Sequence, residues 1–198
     1  FQNFKWIDDI WDDYNTGIAT YFRREVKHQA EEWAKKNQFD IYQDGLKIYT
    51  SLDTRMQVHA EKAVNDHIKD YQKKFNAVWK GSKPWVKVPN FLNKQLKKSP
   101  HYRRLKKKYP KDERAIMQAL KKKRKMKVFT WDNSKNEKTV NFSALDSVAY
   151  YAAFLHTGFM AMDPYTGYIK AYVAGINHKY FKYDHVKDGK RQPGSTFK

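Results

Sequence analysis

The stretch that decides the fold is GFMAMDPYTGYIKAYVAG, residues 158–175. Two apolar runs, each long enough for a strand, flank the tetrapeptide Pro164-Tyr165-Thr166-Gly167. Proline fixes the φ angle that the start of a turn needs, and glycine accepts the left-handed conformation near its end. The pattern therefore predicts a β-hairpin that reverses direction at residues 164–167.

Beyond the hairpin, a loop rich in tyrosine and charge leads into RQPGSTFK, residues 191–198. Ser195 and Lys198 form the chain's one Ser-x-x-Lys spacing. On a helix, residues three apart share a face, so the lysine amine can reach the serine oxygen. A serine hydroxyl becomes a nucleophile when a base accepts its proton, and lysine is such a base once burial or nearby positive charge lowers its pKa.

Pro193 and Gly194 predict a sharp turn into a helix that starts at Ser195. The free N–H groups of a helix N-terminus favour developing negative charge, which suits a nucleophile placed there. The spacing by itself is weak evidence for catalysis, because a lysine-rich chain contains one such pair by chance about as often as not.

Towards the N-terminus, the sequence pattern predicts two helices separated by a short strand. Residues 17–36 have the period of an amphipathic helix, with an apolar stripe of Ile18, Phe22, Val26, Ala30 and Trp33. Residues 45–50, GLKIYT, alternate as a strand does. The second helix starts either with a capping box of Thr54 and Gln57 or with Asp53 as its cap. Its predicted apolar face is Met56, Ala60, Ala63, Val64, Ile68, Tyr71 and Phe75.

The middle of the chain predicts a mixture of loop, helix and strand. Residues 76–93 are predicted to be loop because Gly81, Pro84 and Pro89 interrupt any regular pattern. The remaining predictions, in chain order, are a helix start at Ser99-Pro100, a helix over about 112–125 with Ile116 and Leu120 inward, strands over 128–133 and 138–142, and a helix over 144–156 capped by Ser143.

Residues 94–127 carry most of the chain's charge. They contain sixteen Lys or Arg and two acids, so their net charge is +14 out of +19 for all 198 residues. Such a run is most often a solvated face or a loosely ordered insertion, and binding to anionic lipid head groups or cell-wall polymer ranks next. Nucleic acid ranks last, because no nucleic-acid-binding signature accompanies the charge.

The composition excludes several classes of site. The chain has no cysteine, which removes disulfides and thiolate zinc sites. Its seven histidines show no metal-ligand spacing, so neither a metal nor a cofactor is expected. No apolar run reaches the ~20 residues that cross a bilayer, and the N-terminus lacks the pattern of a signal peptide, so any anchor or export signal would lie outside this chain.

The hairpin, the loop after it and RQPGSTFK together resemble the opening of the transpeptidase domain of class A penicillin-binding proteins. The matching residues are Asp163, Pro164, Thr166, Gly167, Ile169, Ala171, Gly175, Arg191, Gln192, Pro193, Gly194, Ser195, Phe197 and Lys198. The segment DGLKIYTSLDTRMQVHAEKAV, residues 44–64, resembles the family's lead into that domain, and GIATYFRR, residues 17–24, resembles the stretch after its glycosyltransferase domain.

The sequence departs from the family pattern in two ways. Ala174 stands where the family commonly has glycine, a change that we expect to be tolerated. The family's other two transpeptidase motifs, Ser-x-Asn and Lys-Thr-Gly, are absent from these 198 residues.

The resemblance implies an α+β fold in three parts. Residues 1–44 would be a helical linker after the glycosyltransferase domain. Residues 45–157 would be a mixed interdomain region with the basic insertion 94–127. Residues 158–198 would be the first hairpin and the start of the catalytic helix of a penicillin-binding transpeptidase fold.

The resemblance implies that the chain is part of an enzyme of peptidoglycan synthesis. The parent enzyme would cross-link stem peptides by serine acyl transfer and polymerise lipid-linked precursor in a domain outside this chain, while the chain alone would be inactive. Ser195 would be the nucleophile and Lys198 the general base. Gly194, Thr196 and the backbone N–H of Ser195 would bind substrate, and β-lactams would acylate the same serine.

The same resemblance places the parent in the inner membrane, on its periplasmic face. Its partners would be stem peptides and lipid-linked precursor, with no specific nucleic acid. Two alternatives stay open at this point: a non-catalytic structural or docking module of a cell-envelope protein, and a basic module that binds polyanions.

Overall fold

The computed structural model describes residues 16–80, 82–190 and 194–197. The chain divides into two compact units, a hairpin unit (residues 16–68 and 156–197) and a central unit (residues 69–155). Both contain helices and a two-stranded sheet, which confirms the predicted α+β class.

The regular elements of the described residues are six helices and four strands. In chain order they are α1 (Thr20–Asn37), α2 (Thr54–Val78), α3 (Phe91–Lys98), α4 (Pro100–Lys108), α5 (Glu113–Lys121), β1 (Arg124–Phe129), β2 (Glu137–Phe142), α6 (Ala144–Tyr151), β3 (Phe159–Met162) and β4 (Ile169–Val173). Short 3-10 turns lie at Pro84–Lys87 and Gly194–Phe197.

The predicted hairpin forms from β3 and β4, which pair antiparallel with Phe159 opposite Val173 and a bulge at Ala161/Met162. Asp163 organises the reversal: its carboxylate accepts hydrogen bonds from the backbone N–H groups of Tyr165 (2.9 Å) and Thr166 (3.1 Å). Gly167 has φ +71°, as the turn requires. The prediction is confirmed, because aspartate and glycine both suit this turn.

Helix α1 forms where a helix was predicted, and its predicted apolar stripe is confirmed in part. It begins at Thr20 rather than at residue 17, since Gly17 and Ala19 adopt φ angles of +76° and +57°. Phe22 of the stripe packs against the hairpin core of Tyr21, Tyr172 and Ala174, and Val26 and Ala30 are half-buried. Trp33 of the stripe is 50% exposed, and Tyr21 and Ala34 are buried instead.

The strand predicted over 45–50 is absent, and Ile48 and Tyr49 are 54% and 89% exposed. The reason lies at the edge of β4 that β3 leaves unpaired. The chain contacts β4 first through the Ser51 hydroxyl, which donates to the carbonyl of Ile169 (2.9 Å), and then through the Asp53 N–H, which donates to the carbonyl of Lys170 (3.0 Å). The next positions on the edge are taken by the side chain of Gln57, so no room for a third strand remains.

Helix α2 starts at Thr54 and is capped by Asp53, whose carboxylate accepts from the N–H groups of Arg55 (2.9 Å) and Met56 (3.1 Å). The prediction of Asp53 as the cap is therefore confirmed, and the predicted capping box of Thr54 and Gln57 is wrong. The Gln57 side chain is occupied elsewhere: it is fully buried against β4.

The buried face of α2 also differs from the predicted stripe. Met56 and Tyr71 are 44% and 50% exposed. The buried positions share one helical face and are Gln57, Ala60, Ile68 and Gln72. Two glutamines thus stand where apolar residues were expected, and both are hydrogen-bonded.

In the central unit, β1 and β2 pair antiparallel with Val128 opposite Lys138. Strand β1 begins four residues before the predicted start, and helix α6 ends at Tyr151 rather than at residue 156. The predicted loop 76–93 is wrong in part, because α2 continues to Val78 and α3 begins at Phe91.

The helices α3, α5 and α6 meet in a small core of Leu96, Ile116, Leu120 and Ala144. Ile116 and Leu120 point inward, as predicted. The predicted caps are also confirmed. Ser99 accepts from Tyr102 N–H (3.2 Å) at α4, and Ser143 forms a capping box with Asp146 at α6.

We expect Gln57→Leu to lower the free energy of unfolding by about 2–4 kcal/mol, because it leaves the buried N–H and the buried carbonyl of Tyr172 without hydrogen-bond partners. Urea unfolding measures the loss, and hydrogen exchange should show faster exchange of the Tyr172 amide. Met56→Ala, at the exposed neighbouring position, is the matched control and should cost less than about 1 kcal/mol. Equal losses in the two variants would contradict the role given to Gln57.

Candidate functional site

Ser195 lies in the 3-10 turn Gly194–Phe197, and it is exposed. Gly194 before it has φ +55°, a left-handed conformation that favours glycine. The turn holds three of the predicted site residues, Gly194, Ser195 and Thr196. Lys198 and the Arg191-Gln192-Pro193 run lie outside the described residues.

The loop after β4, which leads towards Ser195, is fastened to α1. The Tyr21 hydroxyl donates to the carbonyl of Phe181 (2.5 Å). A Cβ on Gly175 would overlap the Tyr21 ring, its Cζ lying 2.8 Å away, so the glycine permits this packing. Burial raises the pKa of Tyr21, and Asp184 raises it further, so the phenol stays protonated and able to donate.

Asp184 ties the same loop back to the hairpin. One carboxylate oxygen accepts from the Tyr172 hydroxyl (2.7 Å), and the other accepts from the N–H groups of Val186 (2.9 Å) and Lys187 (2.8 Å). The ammonium of Lys187 lies 2.7 Å from the carboxylate of Glu25 on α1. The loop is thus held to α1 at Phe181 and at Lys187.

The buried residues that hold this arrangement were missed by sequence reasoning. Gln57 donates to the carbonyl of Tyr172 (2.9 Å) and accepts from its N–H (2.7 Å). Its amide also donates to Glu61 (2.8 Å), which accepts from the N–H of Ala19 (2.6 Å). One signal was available: Gln57 is in helical phase with Ala60, Val64 and Ile68.

His178 is buried in the loop against α1, with its ring edge-on to Tyr21 at 4.9 Å between centroids. Burial lowers its pKa, and the nearby cations Lys182, Arg24 and Arg23 lower it further, to about 4. The imidazole is therefore neutral at physiological pH.

The described residues contain no group of three or more His, Cys, Asp or Glu that could hold a metal ion. Within the same residues, no helix combines the length and the apolar character that crossing a bilayer requires.

The central unit contains a large concave site, which we call the aromatic groove. Its volume is about 1050 Å³. It lies between the C-terminal half of α2, the turn at Pro84–Lys87, the β1–β2 sheet and α6. Seven aromatic side chains line it: Phe75, Trp79, Trp85, Trp131, Phe142, Tyr150 and Phe154.

Cations outnumber acids around the aromatic groove. The lining lysines are Lys69, Lys73, Lys80, Lys83, Lys123 and Lys138, and the lining acids are Asp132 and Asp146. Lys138 contacts Asp132 (3.3 Å) and lies over the Tyr150 ring (5.4 Å). This site was not predicted from the sequence.

Comparison with known proteins gives two matches. Residues 74–155 match the family described as the penicillin-binding protein middle domain. Penicillin-binding protein 1A of Rickettsia prowazekii (strain Madrid E) is 26% identical over 204 residues. That alignment covers 92% of this chain and 25% of the relative. No solved structure matches the chain significantly.

Residues 74–155, which fill most of the central unit, thus define a penicillin-binding protein middle domain. The two matches together support a fragment of a class A penicillin-binding protein. The chain spans about a quarter of the length of the curated relative it matches.

We expect the protein to lose about 1–2 kcal/mol of stability as the pH falls from about 6.5 to 4, because of His178. Its pKa in the folded chain is about 4, below the ordinary value of 6.5, so the unfolded chain binds the proton more tightly. The contribution is fully present above pH 6.5 and is lost through this window. Urea midpoints at several pH values measure it.

The variant His178→Gln should flatten this part of the pH dependence in part, because burial also lowers the pKa of His156 to about 4 and that histidine titrates in the same window. An unaltered slope in the His178 variant would show that another group causes the titration.

Proposed function

We propose that the chain is part of a bifunctional peptidoglycan synthase and that Ser195 is the nucleophile of its D,D-transpeptidase. The observation that carries the proposal is the match to the penicillin-binding protein middle-domain family, together with a serine that follows the hairpin in the run Arg-Gln-Pro-Gly-Ser-x-x-Lys. The exposure of Ser195 supports it, since a nucleophile must be reachable by a polymeric substrate.

In this mechanism the Ser195 hydroxyl attacks the D-Ala–D-Ala carbonyl of a stem peptide while Lys198 accepts its proton. The C–N bond breaks, the terminal D-alanine leaves, and an acyl-enzyme ester remains. An amine of a neighbouring stem then attacks the ester, which forms the cross-link and frees Ser195. The backbone N–H of Ser195 supplies one oxyanion donor, and Gly194 and Thr196 contact substrate.

The proposed setting follows from the same family. The parent would face the periplasm from the inner membrane, polymerise glycan from lipid-linked precursor in a separate domain, and be acylated by β-lactams. The proposed domain limits are residues 1–44, 45–157 and 158–198. This chain alone would be inactive, because it does not contain the Ser-x-Asn and Lys-Thr-Gly motifs.

Intact-mass labelling with a penicillin tests the proposed nucleophile. We expect a longer gene product that contains all three motifs to gain the mass of one penicillin, and the 198-residue chain to gain none. Ser195→Ala should abolish the gain, because no other serine of this chain has a lysine three residues after it.

The matched control is Ser134→Ala, which removes an exposed serine in the β1–β2 connection. Labelling should persist in this variant. The catalytic proposal fails if the folded longer protein takes up no penicillin, or if Ser195→Ala labels as the parent does.

A second candidate function rests on the basic run. All sixteen Lys and Arg of residues 94–127 are exposed, and only Asp112 and Glu113 oppose them. A surface of this kind attracts polyanions. We expect heparin to bind the chain at low salt and to be released as salt rises. Replacing Arg103, Arg104, Lys106 and Lys107 with Gln should weaken binding about tenfold or more.

The matched control for that test replaces Lys35, Lys36, Lys62 and Lys74 with Gln, the same change in net charge at positions outside both the basic run and the aromatic groove. If both sets weaken heparin binding equally, the attraction comes from net charge and the basic run is not a distinct binding surface.

A further inference from the structure

The aromatic groove of the central unit combines ring faces, amide groups and cations in one concavity. Trp79, Trp85 and Trp131 are all partly exposed there. Asn76 and Asn141 line the same site with exposed side chains. At about 1050 Å³ the groove lies at the upper end of the range for ligand sites, which suits a ligand of several rings.

We propose that the aromatic groove binds an acidic glycan, a strand of sugar rings whose substituents carry carboxylates. The flat C–H face of a sugar ring carries partial positive charge and packs on the negative face of an aromatic ring. Hydroxyl and amide groups of the sugar pair with side-chain amides, and carboxylates of the sugar pair with lysine.

The aromatic rings of the groove are held in position by their neighbours. Trp85 stacks on Phe91 with 6.1 Å between centroids, and Trp79 lies 6.3 Å from Phe75. Trp131 packs edge-on against the buried Phe129 at 4.9 Å. Rings fixed in this way lose little conformational entropy when a ligand packs on them.

Trp131 supplies an observation that points to a ligand. Its indole nitrogen is buried, and among the described residues it has no hydrogen-bond acceptor. A buried donor without an acceptor costs about 1–3 kcal/mol, so such groups are rare unless they serve a purpose. A hydroxyl or carboxylate oxygen of a bound glycan would satisfy it.

The lysines of the groove are available to a ligand. Lys69 and Lys73 lie one turn apart on α2, on the face that lines the groove, and both are exposed. Neither forms an ion pair with an acid of the described residues. Two lysines at this spacing can pair with carboxylates carried along such a strand.

The same groove is a poor fit for nucleic acid. Of the sixteen cations of residues 94–127, only Lys123 lines it. Asp132 and Asp146 line it as well, and their carboxylates can accept hydrogen bonds from sugar hydroxyls. A phosphate backbone would be attracted to the basic run rather than to this groove.

The source of the glycan rests on the proposed function: in a peptidoglycan synthase, the acidic glycan is the uncross-linked strand of the cell wall. The binding itself does not depend on Ser195, because the groove is formed by residues 69–154 alone. Failure of penicillin labelling and failure of glycan binding are therefore separate results.

Isothermal titration of the 198-residue chain with soluble, uncross-linked peptidoglycan strands tests the proposal. We expect saturable binding that is weaker for the neutral analogue chitohexaose and weaker again for single-stranded DNA. Binding of the strands should decrease as salt rises, since carboxylate–lysine pairs at an exposed site are screened.

Two pairs of variants locate the site. Trp85→Ala should weaken glycan binding about fivefold or more, and Trp33→Ala, at a half-exposed tryptophan of α1, should not change it. Lys69→Glu/Lys73→Glu should weaken binding about tenfold at low salt, and Lys94→Glu/Lys97→Glu, with the same charge change on α3, should weaken it less. Circular dichroism confirms that each variant is folded.

Four results would overturn the proposal. The first is no saturable binding of the strands, and the second is equal binding of chitohexaose. In the third, the Lys94/Lys97 variant loses as much affinity as the Lys69/Lys73 variant. In the fourth, single-stranded DNA binds more tightly than glycan and depends on Lys69 and Lys73, which would assign the groove to nucleic acid.

Discussion

The hairpin unit depends on how the free edge of β4 is closed. The edge that β3 leaves unpaired presents the carbonyl of Lys170, both backbone polar groups of Tyr172 and the carbonyl of Ala174. Asp53, Gln57 and His185 satisfy them in turn, two through the backbone and Gln57 through its side chain. An unpaired edge buried without such partners would be costly and prone to pairing with other chains.

This closure explains the elements around it. Gln57 must face β4, so α2 turns its Gln57–Ala60–Ile68 face inward and leaves Met56 exposed. Glu61 is then brought to the start of α1, where it accepts from Ala19 N–H. At the end of this edge the N–H of His185 donates to the carbonyl of Ala174. The loop that leads towards Ser195 is therefore hydrogen-bonded to the hairpin.

The central unit is organised differently, around small apolar clusters beneath charged helices. Leu96, Ile116, Leu120 and Ala144 supply its helical core, while every cation of residues 94–127 faces water. The aromatic side chains that this core does not use gather in the aromatic groove. Charge and aromatic surface are thus separated, which gives the unit two surfaces of different chemistry.

The sequence by itself determined the features that depend on local chemistry. These are the turn at Asp163–Gly167, the caps at Ser99 and Ser143, and the inward positions of Ile116 and Leu120. Its motifs also carry the resemblance to the family. Tertiary structure decided the rest. Which face of α1 and α2 is buried, and whether residues 45–50 pair as a strand, depend on which edge or core is available, and periodicity does not carry that information. The aromatic groove follows the same rule, because its rings come from segments up to 79 residues apart (Phe75 to Phe154) and meet only when the chain folds.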